Sequence, residues 1–205
     1  MLFYPCAGAD FTSAIETFIA TVDSFWFVDD AAYQRRVPRL KGYWKPVPLD
    51  DMHVAGAEVR RFELTSAGLG KTVEVNFASG DSQELFASLI EPDSEHALAI
   101  FYYRGDSCGE GGSGRCWLSG QGCHGEGPGL LSRVLTAIQK PGLIATDGSN
   151  GHDGFRKFHE MTDATVNAHR QSATFIAEGF RLTPIGTAGM RYGPTVIWEV
   201  TCGDE

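Results

Sequence analysis

A chain of 205 residues with 42% hydrophobic side chains and a net charge of −9 has the composition of a globular protein with a substantial core. Its acidity opposes attraction to nucleic-acid phosphates, so no nucleic-acid partner is expected, and no run approaches the roughly 18 apolar residues of a membrane span. Five cysteines suit reduced thiols better than a disulfide framework, and no basic segment precedes the first apolar run, which predicts a cytoplasmic protein whose partner is a small molecule or another protein.

Leu2-Phe3-Tyr4 is a short apolar run stopped by Pro5, and the small residues of Cys6-Ala7-Gly8-Ala9-Asp10 make a turn that lets backbone approach a ligand closely. Ser13 and Glu16 have the spacing of a capping box, in which side chains satisfy free N–H groups at a helix start. Ala14, Ile15, Phe18, Ile19 and Val22 then recur at helical spacing. Phe25-Trp26-Phe27-Val28 does not alternate in polarity, as expected of a parallel strand covered on both faces. It ends on Asp29 and Asp30, about 20 residues after Gly8, the separation of a nucleotide-binding glycine turn from a ribose-binding acid. From about 31 to 70 the pattern loosens into an insertion or long connection, basic around Arg35, Arg36 and Arg39. Within it Glu58 to Leu64 favours strand and, across a Ser66 to Gly70 turn, forms a hairpin with Thr72 to Phe77.

Asp81 or Ser82 is placed to cap a second helix carrying Leu85, Phe86, Leu89 and Ile90. Ala97 to Tyr103 is the most apolar strand and reads as the centre of a parallel sheet. The glycine-rich stretch from Gly105 to Gly129 follows it and is too long for an idle connection, so a functional loop is expected at the carboxyl ends of the strands, where such sheets place ligands. A third helix runs over Leu130, Leu131, Val134, Leu135 and Ile138 and halts at Lys140-Pro141-Gly142. Leu143 to Thr146 is a further strand, Phe155 to Phe175 a long or broken helix, and FRLTPI with TVIWEVT a closing antiparallel hairpin. The alternation predicts one α/β domain over 1–205.

Competing motifs are weaker. Gly111-Gly112-Ser113-Gly114 offers consecutive N–H groups to an anion but lacks the spacing of a phosphate loop. Cys108, Cys116, Cys123 and His124 lack C-x-x-C spacing, so no metal site is expected.

In their order, these pieces resemble the class I S-adenosylmethionine-dependent methyltransferases. Tyr4-Pro5-Cys6-Ala7-Gly8-Ala9-Asp10 is similar to the turn around the methionine part of the cofactor, and Asp29 or Asp30 stands at the ribose-binding acid. Gly80-Asp81 is similar to the pair beside the adenine, LLSRVLTAIQKPGLIATDG to a helix, P-G turn and fifth strand, and the terminal segments to the closing hairpin. The resemblance implies a Rossmann-like three-layer sandwich with a mostly parallel sheet and a C-terminal antiparallel hairpin. It also implies S-adenosylmethionine as cofactor, held by Cys6, Gly8, Asp10, Asp29, Asp30, Asp81 and Ser82. Tyr103 and Asp106 are the side chains to orient or deprotonate a methyl acceptor, with Arg104, Glu110, Gly112 and Ser113 in the substrate loop. Two departures keep a second reading open. The turn retains a single glycine, and Tyr103-Arg104-Gly105-Asp106 replaces the Asn/Asp-Pro-Pro-Tyr motif of amino-group methylation, leaving the acceptor unspecified. The alternative is a non-catalytic module of the same fold that has lost the cofactor and binds a metabolite or protein.

Overall fold

A computed structural model describes residues 1–5, 7, 11–29, 44–90, 97–103, 130–146, 174–188 and 195–203. They belong to two compact units, Met1–His96 and Ala97–Glu205.

In Met1–His96, three strands run parallel: β1 (Leu2–Pro5), β2 (Ser24–Asp29) and β6 (Lys71–Ser79), with β2 in the middle. β5 (Ala57–Ser66) lies antiparallel to β6, and β3 (Trp44–Pro48) and β4 (Met52–Val54) both pair antiparallel with β5. Helix α1 (Phe11–Phe18) packs Phe11 against Phe27 and Phe77, with ring centroids 5.7 and 5.2 Å apart. Helix α2 (Ser82–Ile90) packs Phe86 against Phe3 at 5.3 Å. Tyr4 meets Phe27, and successive strand residues point to opposite faces, so Phe3 lies on the other face and the two helices cover opposite sides. That double cover is why Phe25 to Val28 are all buried and carry no polar alternation. Asn76, fully buried on β6, donates from Nδ2 to the Phe25 carbonyl at 3.2 Å and ties β6 to β2. On β5 and β6, Arg61 holds Glu74 through two nitrogens at 3.0 and 3.3 Å, a half-exposed pair worth only a fraction of a kcal/mol, about 0.2–1.

In Ala97–Glu205, β7 (Leu98–Tyr103) is parallel to β8 (Ile138–Thr146), while β11 (Thr195–Cys202) is antiparallel to β8. β10 (Phe180–Ala188) and β9 (Phe175–Ala177) continue antiparallel from β11, giving the order β7-β8-β11-β10-β9. Trp198, Tyr102, Tyr103 and Phe101 are its largest fully buried side chains. Helix α3 (Leu130–Ala137) runs straight into β8. The Lys140 ammonium donates to the carbonyl of Leu135, which the helix end leaves open, and to that of Ile138 at the start of β8, and lies 4.5 Å from the centroid of the Phe180 ring. Burial pushes the Lys140 pKa below its usual 10.5, against the opposing pull of Cys202.

The expected strands are present: β1, β2, β6, β7 and the second half of β8, the 57–66/71–79 hairpin and the closing β10–β11 hairpin. The expected fold class is not. Strand occupies 60% and helix 20% of the described residues, with parallel and antiparallel pairs mixed in each unit, so the described structure is mostly β and not the expected helix-rich Rossmann-like three-layer α/β sandwich. The physical reason is economy of connection. Antiparallel neighbours need only short turns such as Ala55-Gly56 or Glu178-Gly179, whereas each parallel step requires a crossover, and the described helices are only eight or nine residues long. The span read as an insertion holds β3, β4 and all of β5. The third helix stops at Ala137, so Ile138 is the first residue of β8. The helix expected over 155–175 falls outside the described residues up to 173, and Phe175 is strand.

Candidate functional site

The carboxyl ends of β1, β2 and β6 meet at one edge of the Met1–His96 unit. Backbone bonds tie their continuations together: Ala7 N–H donates to the Val28 carbonyl at 3.2 Å, and Gly80 N–H to the Asp29 carbonyl at 3.4 Å. Asp29, the last residue of the middle strand, is half-buried and directly opposite Ser79 in the parallel register. Two residues beyond Phe27, it shares the face covered by α1. Ser79 in turn lies opposite Glu58, and Glu58 opposite His53. Directly opposed residues share a face, so Asp29, Ser79, Glu58 and His53 form a polar row across β2, β6, β5 and β4. Its β2 end is half-buried and its β4 end exposed.

The turn between β6 and α2 is built for local reasons. A Cβ on Gly80 would lie 2.7 Å from the Ala57 Cβ, so the close approach of β5 requires glycine there. Asp81 is the N-cap of α2: its Oδ1 accepts the Glu84 N–H at 3.1 Å, and its carbonyl accepts from Leu85 N–H at the same distance. Ser82, the first helical residue, is 5% exposed. Asp81→Ala is expected to lower stability by about 1 kcal/mol while Asp81→Asn retains most of the cap, as read from urea unfolding midpoints. Equal stability of the alanine variant and the wild type would contradict the cap.

Tyr103 closes β7 in the Ala97–Glu205 unit, 1% exposed, its ring centroid 6.1 Å from that of Phe101. Cys6, Gly8, Asp10, Asp30, Arg104, Asp106, Glu110, Gly112 and Ser113 lie outside the described residues. Of the residues expected to hold an adenosyl cofactor, the structure therefore describes Asp29, Asp81 and Ser82, all at one sheet edge. Among the described residues no three His, Cys, Asp or Glu side chains are grouped to hold a metal ion, and no helix is long and apolar enough to cross a membrane.

Sequence reading passed over Ser79, Glu58 and His53. Part of the signal was present: the Ser66–Lys71 pairing at the hairpin turn sets the antiparallel register that places Glu58 opposite Ser79. The step from Ser79 to Asp29 is a parallel pairing between segments far apart in the chain, and no local pattern encodes it. Comparison of the sequence with protein-family models gives no match, and a search of curated proteins finds no matching relative.

Proposed function

We propose that the protein is a cytoplasmic S-adenosylmethionine-dependent methyltransferase whose acceptor is a small molecule or a protein. The observation that carries this reading is Asp29, a half-buried carboxylate at the carboxyl end of the middle of three parallel strands in the order β6-β2-β1. Nucleotide-binding sheets use this three-strand order, and a carboxylate there accepts hydrogen bonds from two ribose hydroxyls at once. Ser79 lies directly beside it in the parallel register. When bound, the cofactor supplies an electrophilic methyl group on sulfur. The protein's part is to hold the ribose, align the acceptor in line with the methyl and keep water out.

Isothermal titration with S-adenosylmethionine and S-adenosylhomocysteine tests the reading. Wild-type protein should bind both, and Asp29→Ala should weaken binding by roughly tenfold to a hundredfold, as expected when a charged hydrogen-bond acceptor is removed. No heat from properly folded wild-type protein ends the methyltransferase reading. The second reading, a non-catalytic binding module, is favoured in that case by the single glycine of the Cys6 to Asp10 turn.

A further inference from the structure

We infer that Pro46 and Pro48 close the outer edge of β3 to strand addition by a second copy of this chain. Among the described residues β3 ends the strand order of the Met1–His96 unit and pairs on one side only, with β5. An edge strand offers a row of N–H and C=O groups to any chain that can align with it, and a second copy carries the same edge in the same conformation. The register decides which residues of β3 form that row. In an antiparallel ladder, pairs that exchange hydrogen bonds alternate with pairs that do not, so alternate residues turn their backbone groups toward the neighbour and away from it. Leu49 N–H donates to the Arg61 carbonyl at 2.9 Å, which makes Leu49 a bonding residue. Steps of two back along the strand make Val47 and Lys45, opposite Glu63 and Thr65, bonding residues as well. Trp44, Pro46 and Pro48 then carry the groups that point away from β5. Two of these three outward positions are proline, which has no hydrogen to donate. Each would leave a carbonyl of an incoming strand without its donor, and the ring occupies the space in which that strand would lie. Pro46, Val47 and Pro48 are all exposed, so no packing demand calls for two proline rings here. Both stand on the side of β3 where they take no bond from β5.

The test uses the full chain and the double variant Pro46→Thr/Pro48→Thr, in which a good strand former restores both outward donors. Analytical ultracentrifugation over a range of protein concentrations reads self-association. The double variant should associate about tenfold or more tightly than the wild type, the worth of the hydrogen bonds that two copies regain. Amide exchange then locates the contact: the new N–H groups at positions 46 and 48 should be protected in the associated form. Each single variant restores one donor and should fall between wild type and double variant, and the same readings are made on these if the double variant does not fold. Val47→Pro checks the register from the other side, because it removes an N–H that β5 receives; it should lower the stability of the unit without promoting association. Folded variants that associate no more than the wild type overturn the role of the prolines. So does association that leaves the amides at 46 and 48 exchanging freely, or a wild type that already associates through residues 44–48. A Val47→Pro variant as stable as the wild type overturns the register on which the outward placement rests.

Discussion

Phe27→Ala is expected to remove about 3–5 kcal/mol of stability, a large part of the roughly 5–15 kcal/mol available to a domain of this kind. Phe27 is 2% exposed, and its ring lies 5.5 Å from Phe77, 5.7 Å from Phe11 and 6.1 Å from both Tyr4 and Phe25. It therefore joins β1, β2, β6 and α1 through one side chain. Alanine loses the transfer free energy of the ring and leaves a cavity that stiff neighbouring strands cannot close. Urea unfolding followed by far-ultraviolet circular dichroism measures the loss. Phe62→Ala should cost clearly less, because Phe62 is half-buried on β5 and its ring meets Phe77 at 6.0 Å from the side of the parallel strands remote from β1. If Phe27→Ala does not fold, Phe27→Leu supplies the measurement with a smaller deletion. A loss below about 1 kcal/mol for the alanine variant would show that the aromatic cluster is not what joins these elements.

Gly142→Ala is expected to destabilise the Ala97–Glu205 unit by about 1–3 kcal/mol or more. Gly142 is buried in β8, where a Cβ would collide with the Gln139 carbonyl oxygen and lie 2.7 Å from Ile138 Cγ1. The obstacle on one side is backbone, which cannot rotate away as a flexible side chain would. The segment is also where the β7–β8 register jumps, from Leu98 opposite Ile138 to Ile100 opposite Leu143. Moving the 138–142 segment to admit a methyl group disturbs the entry to β8 and, through Lys140, the end of α3. For a chain of this size each kcal/mol lowers Tm by about 2–4 °C, so the loss is readable by thermal unfolding. Amide exchange should quicken first at Leu143 and Ile144, whose partners on β7 and β11 depend on that register. An unchanged Tm would mean that the segment relaxes without cost.

The sequence by itself determined the strands that are buried on both faces. Phe25 to Val28 and Leu98 to Tyr103 are unbroken apolar runs, and the parallel environment that makes them so also makes them recognisable. Turn residues placed the 57–66/71–79 hairpin, the Asp81 cap was visible in its spacing, and Asp29 stood out as an acid closing an apolar strand. Other features were not legible. In β3 the run Trp44-Lys45-Pro46-Val47-Pro48 reads as loop because proline has no N–H to donate, yet β5 pairs with it through all five residues. The start of β8 at Ile138 continues a helical apolar stripe, and the end of α3 depends on the Lys140 ammonium reaching the Leu135 carbonyl, a contact invisible to periodicity. The balance of the fold was missed for a related reason: alternation of strand and helix signals counts elements but does not weigh them. Short helices and long antiparallel strands look alike in such a list until pairing is known. Pairing between distant segments is also what only the tertiary structure decided about the site. Asp29, Ser79, Glu58 and His53 belong to four strands, and the row they form exists because the β2–β6, β5–β6 and β4–β5 registers coincide at one level of the sheet. A strand's own residues set which face each side chain occupies, while its neighbours set which side chains it meets.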